Sequence, residues 1–315
     1  MSTITRRDFM KHSAGAVALG ATGGALAGPL SFAQKSEPLL GTTMRTLGKT
    51  GIQTTLVGMG TGVRAWNGQS EMTRKGREAF VGLLEHAYAK GIRFFDLADM
   101  YGSHDYMKDA LKKSIPRDQV MILSKAVSRE ADLLKADLER FRKEVDTDYI
   151  DVVLLHCLTE PGWTEKMKPA LEVMEEAKQK GQIKAHGVSC HNFDCMVEAA
   201  NNPWVDVILA RFNPFSVKMD NTPEEIAKVL KTCKDNGKGV LGMKIFGEGQ
   251  ITLPEDTSAF DPYAKTIIGD VPTKDRVEQS LRFAIGTGLV DAMTIGFTEP
   301  AHVDDTLARI AAITA

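Results

Sequence analysis

The 315-residue chain has little cysteine, few aromatic residues and no surplus of either charge. Its four cysteines, Cys157, Cys190, Cys195 and Cys233, form no CxxC pair and no zinc-ligand spacing. That argues against a metal cluster or a disulfide scaffold. A formal net charge of −2 leaves no basic excess to hold nucleic acid or an anionic membrane surface. With 43% hydrophobic and 25% charged residues, the composition excludes a disordered polymer, a collagen-like fibre and a polytopic membrane protein. No GxGxxG follows an early strand, which argues against a Rossmann sheet. What is left is a soluble globular enzyme or binding protein, of a length that suits one large barrel.

One segment lacks charge altogether. Between Lys11 and Lys35 there is no Asp, Glu, Lys or Arg, and the stretch is rich in Ala and Gly. A basic start, an apolar middle and small residues at Ser31 and Ala33 read as an export signal over residues 1–33, cut after Ala33. The run Thr5-Arg6-Arg7-Asp8-Phe9-Met10-Lys11 resembles the twin-arginine signal, with Met where Leu is usual. The resemblance implies a periplasmic protein and a partner in the twin-arginine translocation machinery, which carries proteins already folded, often around a cofactor. The alternative is an uncleaved anchor. Five glycines and Pro29 make the segment a poor spanning helix, so no stable membrane anchor is expected.

The remainder, residues 42–315, reads as one α/β domain. Residues 44–52 form a hairpin with glycine turns. Eight short apolar strands follow, at 55–59, 93–96, 120–125, 151–156, 184–189, 207–213, 239–243 and 292–296. Amphipathic stretches separate them, for example 77–90, 131–145, 164–180, 224–236 and 274–287, with apolar residues at three- and four-residue spacing. Gly91, Gly181, Gly237 and Gly288 each follow a helix end, as a left-handed C-cap requires. Eight such alternations close into a (β/α)8 TIM barrel or open into a doubly wound sheet, and the absence of GxGxxG favours the barrel. Chemistry in such barrels sits at the C-terminal ends of the strands.

Those ends carry reactive groups. Strand two ends in Asp96 and its loop holds Tyr101; strand three ends in Lys125 and strand four in His156. A nearby cation favours phenolate, so Lys125 is expected to lower the Tyr101 pKa, Asp96 to hold Lys125, and His156 to orient a carbonyl. Each residue alone has a structural reading: an ion pair for Lys125, a turn cap for Asp96, a hydrogen-bonded core residue for His156. Their joint placement outweighs these. Cys157 next to His156 is set aside as a nucleophile, because neighbouring strand residues face opposite sides.

The runs Gly91-Ile92-Arg93-Phe94-Phe95-Asp96-Leu97-Ala98-Asp99-Met100-Tyr101-Gly102, Leu154-Leu155-His156, Gly187-Val188-Ser189-Cys190-His191-Asn192-Phe193 and Ile295-Gly296, with Lys125 between the first two, resemble the aldo-keto reductase family. The likeness runs from about Met44 to the last helix. It implies the (β/α)8 barrel, NADPH or less often NADH as cofactor, and a catalytic tetrad of Asp96, Tyr101, Lys125 and His156 with Tyr101 as general acid. It places the cofactor against Gly60, Thr61, Ser189, Cys190, Met243, Lys244, Phe246, Gly296, Thr298, His302 and Asp305. Departures fall at Cys190, where Asn is usual, at Leu209, where Gln is usual and Arg211 could compensate, and at Thr298, where a cation often sits. Lys274 and Arg276 read as a solvated helix face. Trp66 is placed at the substrate mouth. The expected function is NAD(P)H-dependent reduction of an aldehyde, ketone or sugar-type carbonyl to an alcohol, or the reverse. Two alternatives are a redox-neutral epimerase that retains its nicotinamide and a non-enzymatic binding module.

Overall fold

Period-two alternation in the apolar segments sorts their side chains into an inner and an outer core. The computed structural model describes residues 39–252 and 272–314. A short antiparallel hairpin, β1 (Met44–Thr46) and β2 (Gln53–Thr55), comes first. The next strands are β3 (Val57–Gly60), β4 (Phe94–Asp96), β5 (Met121–Ala126) and β6 (Ile150–Leu158). Then come β7 (Ile183–Cys190), β8 (Val207–Arg211), β9 (Gly239–Met243) and β10 (Ala292–Gly296). The eight are parallel and close in the order β10-β3-β4-β5-β6-β7-β8-β9. All eight lie where the sequence places them, with ends shifted by at most two residues.

A helix follows each barrel strand: Arg77–Ala89, His104–Lys113, Ala131–Val145, Lys168–Gln179, Phe193–Asn201, Pro223–Asp235, Thr273–Gly286 and Pro300–Thr314. Outward residues such as Phe95, Ile122, Leu155 and Val188 pack with the helices' buried faces, for example Leu134, Leu138 and Phe141. The four glycines expected to end helices have φ between +65° and +94°. Among the described residues no helix is long and apolar enough to cross a membrane. The expected signal segment, residues 1–33, lies outside the described residues.

The inner core sets the two ends of the barrel apart. Phe94, Met121, Val152, Ala185, Val207 and Ala292 cluster with Leu47 and Ile52 of the hairpin. Leu47 is fully buried there, which is worth about 1.5–3 kcal/mol. The hairpin thus seals the N-terminal end with apolar side chains. Two or four residues further along the same inward register, the strands present Asp96, Lys125, His156, Ser189, Arg211 and Thr294. The interior changes from apolar to polar toward the C-terminal end.

One irregularity matters at that end. Leu155 pairs with Val188, but Leu158 pairs with Cys190, so β6 spends three steps against two on β7. The extra residue is taken up at Cys157, which has φ +59°. A bulge of this kind turns the side chain out of strict alternation.

Candidate active site

The structure brings Asp96, Tyr101, Lys125 and His156 together. Lys125, 1% exposed, directs its three protons at three acceptors: the Asp96 carboxylate, the Leu97 carbonyl at 2.9 Å and the Tyr101 hydroxyl at 3.4 Å. A buried ammonium is tolerable only when paired and hydrogen-bonded in this way. The other Asp96 oxygen accepts from Thr294 Oγ1 at 2.8 Å. Tyr101 closes a 3-10 turn, Asp99–Tyr101, and its ring meets the His156 ring edge-on with centroids 5.7 Å apart. Gly62 makes room for it: a Cβ there would lie 2.4 Å from the Tyr101 ring.

Burial sets the electrostatics. It pushes the Tyr101 phenol well up, and the carboxylates of Asp96 and Glu248 add to this. The expectation that Lys125 lowers this phenol is therefore corrected: the ammonium is present, but desolvation and the carboxylate outweigh it. Burial also draws Lys125 down, opposed by Asp96. His156 is pushed down to about 2 by burial and by the cationic Lys125 and Arg129 around it, so the ring is neutral. Its Nδ1 is buried without a partner among the described residues. The single proton of the neutral ring is better placed on Nε2.

A cavity of about 580 Å³ opens beside Asp96 and Tyr101, within the range of small-molecule sites. Gly60, Met243, Lys244 and Phe246 line it, as do Gly296, Thr298, His302 and Asp305. Three expected cofactor residues do something else. Thr61 is fully buried and donates to the Asp96 carbonyl at 2.9 Å, within 2.9 Å of Ser103 Oγ as well. Ser189 is fully buried and accepts the Cys157 N–H at 2.8 Å. Cys190 packs in the outer core. Leu209 belongs to the inner core, and Arg211 is held in a two-pronged pair with Asp220, so it does not replace the missing amide at 209. Arg276 is buried rather than solvated, whereas Lys274 lines the cavity. Trp66 is 74% exposed on a small loop bridge to Gln69 and is not among the lining residues.

The donor set fits a dinucleotide unevenly. Lys274 and Arg309 are among the residues lining the cavity, as phosphate would need, and His302 Nδ1 lies 3.3 Å from Thr298 Oγ1. Lys75 fixes the Thr298 carbonyl at 2.7 Å, and Arg309 pairs with Asp305 at 2.6 Å. On the β7 and β8 side, Ser189, Cys190 and Leu209 offer no comparable grip on an amide.

Sequence reasoning missed several residues here. Thr294 is inward on a strand read correctly, and its hydroxyl could have been placed toward Asp96 from alternation alone. Arg129 donates to the His156 carbonyl from a loop with no motif to mark it. Strand alternation alone sets Cys157 aside; the bulge instead brings its sulfur 3.0 Å from His191 Nδ1.

Comparison with known proteins bears on the whole arrangement. The family model described as "Aldo/keto reductase family" matches residues 58–265. The chain is 27% identical over 235 residues to an NADH-specific methylglyoxal reductase of Escherichia coli (strain K12), covering 68% of each. It is 26% identical over 190 residues to an NADP(+) aldo-keto reductase of Schizosaccharomyces pombe (strain 972 / ATCC 24843), covering 56% of this chain and 54% of that protein. The fold is similar to that of an aldo-keto reductase from Bacillus halodurans solved in holo form, with TM-score 0.68, 18% identity, and coverage of 85% of this chain and 90% of that one.

Proposed function

The chain belongs to the aldo/keto reductase family and is an NAD(P)-dependent oxidoreductase, and from that premise we propose that it reduces an aldehyde or ketone to an alcohol with Tyr101 as the proton donor. The observation that carries this reading is the Lys125 ammonium, which holds Asp96 on one side and the Tyr101 hydroxyl, at 3.4 Å, on the other. The nicotinamide cofactor, when bound, supplies the hydride. The carbonyl oxygen of the substrate accepts hydrogen bonds from the Tyr101 hydroxyl and from His156 Nε2–H. As negative charge builds on that oxygen, Tyr101 gives up its proton, and the ammonium stabilises the phenolate left behind. Asp96 and Thr294 keep Lys125 in place. His156 stays neutral throughout and orients without titrating.

NADP(H) is the proposed cofactor, with NAD(H) as the alternative, because Lys274 and Arg309 line the cavity and a 2′-phosphate needs positive charge. Related proteins include both an NADH-specific and an NADP(+) member. The twin-arginine-like residues 5–11 support export through that machinery to the periplasm, with residues 1–33 removed. The direct test of function is turnover of a small aldehyde or quinone by the purified protein with NADPH and, separately, with NADH. Faster oxidation of NADPH is expected. Failure with both would favour a binding role. Cell fractionation with an intact-mass measurement checks export and the cut after Ala33.

A further inference from the structure

The bulge in β6 leaves a thiol and an imidazole facing one another at the open end of the barrel, and the reaction above uses neither. Cys157 Sγ lies 3.0 Å from His191 Nδ1. Both residues are fixed through their backbones, Cys157 N–H donating to Ser189 Oγ and His191 N–H to the Leu158 carbonyl, each at 2.8 Å. Cys157 is partly exposed, whereas Cys190, Cys195 and Cys233 are each 0% exposed.

The pair stands beside His156, whose ring meets that of the cavity-lining Tyr101, though neither Cys157 nor His191 is itself among the lining residues. Burial pushes the thiol up, opposed by Arg211 and Arg129. Burial, with Arg211 and Lys244, pushes His191 down to about 4. At neutral pH both groups are neutral, and with the ring proton on Nε2 the thiol donates to Nδ1. Because the thiolate is the nucleophilic form and is not present at rest, sulfur attack requires the proton to pass to the imidazole in the same step.

We propose that Cys157 and His191 form a covalent modification site for α,β-unsaturated carbonyl compounds that enter the mouth. Sulfur bonds to the β-carbon as the C=C π bond opens toward the carbonyl, giving an enolate. The thiol proton passes to His191 Nδ1 and then to the α-carbon, so no oxidant or further reactant is required. Arg211 is held by Asp220 and Lys244 by Glu248, so Arg129 is the cation that favours the enolate charge. The adduct occupies the mouth, so an unsaturated aldehyde or ketone inactivates the enzyme that would otherwise reduce it. Inactivation rests on the proposed reduction site; the addition itself does not.

The test uses the purified protein with equimolar N-ethylmaleimide and, separately, methyl vinyl ketone. Intact mass, peptide mapping and turnover are followed together. One adduct on Cys157 is expected, with turnover falling in proportion. Cys157→Ser should turn over and take up no adduct under the same conditions. His191→Phe, or His191→Gln if the first does not fold, should label at least tenfold more slowly. Labelling first at another cysteine, or at an unchanged rate in the His191 variant, would overturn the site. Cys157 labelling with turnover intact would uphold the addition and overturn the inactivation. Labelling as expected in a protein that reduces no carbonyl would keep the site and refute the reductase reading alone.

Discussion

The Lys125 ammonium stands 3.4 Å from the Tyr101 hydroxyl, yet the phenol is held above its ordinary pKa, not below it. Burial accounts for most of this, and the Asp96 carboxylate, which already holds the ammonium, adds to it. On the proposed mechanism the two facts are compatible. A resting phenol keeps its proton for donation, and the ammonium acts when that proton leaves.

A pH profile follows from these directions. The protonated phenol is the active form in reduction, and raising its pKa extends that form above the usual phenol value of about 10. His156, pushed down to about 2, adds no acid limb in the working range. The kcat for carbonyl reduction should be nearly level from pH 6 to 9. Steady-state kinetics that showed a fall centred near pH 8 would contradict this.

Lys125→Met should lower both rate and stability. It strips Asp96 of its ammonium in a site where the two side chains are 1% and 6% exposed. Breaking such a pair costs about 3–5 kcal/mol. Adding Asp96→Asn removes the stranded charge, so the double variant should regain stability while remaining slow. Thermal melts alongside kcat separate the two effects.

Gly62→Ala should move the Tyr101 ring, since the new Cβ would sit 2.4 Å from it. A kcat loss of about tenfold or more, with cofactor affinity preserved, is expected, because small misplacements of a reacting group are costly. Gly82→Ala is the control, for a Cβ there meets nothing within 4 Å.

Acid should destabilise the fold through two histidines. Unfolded, each binds a proton below about pH 6.5; folded, His191 resists until about 4 and His156 until about 2. The folded state thus binds fewer protons across that window. The stability is complete above pH 6.5 and is lost as pH falls, by about 2 kcal/mol from each group at pH 5. Melting temperatures at pH 7.5 and 5.0 measure the loss, and His191→Gln should make it smaller.

The barrel was legible because period-two runs such as Met121, Leu123 and Lys125 carry both the strand and its facing in their spacing. Asp96, Lys125 and His156 were legible for the same reason: they continue an inward register after apolar residues. What escaped depended on partners distant in sequence or on local irregularity. Nothing in Leu154-Leu155-His156-Cys157-Leu158 marks a bulge, since no glycine announces the positive φ at Cys157. Ser189 and Thr61 carry hydroxyls that suit a ligand equally well, and only the fold shows them bonded to Cys157 and Asp96 backbone groups. In the sequence Arg211 looks available, and only the fold shows Asp220, nine residues on, holding it.

The central claim is that Tyr101 delivers the proton. The most direct measurement is kcat of Tyr101→Phe for an aldehyde substrate, set beside the cofactor dissociation constant of the same variant. A hydroxyl that acts in the transition state and hardly touches the resting cofactor predicts a loss of about 10²–10⁴ in kcat, with cofactor affinity changed by no more than about twofold. A phenylalanine variant that kept most of its kcat would place the proton donor elsewhere.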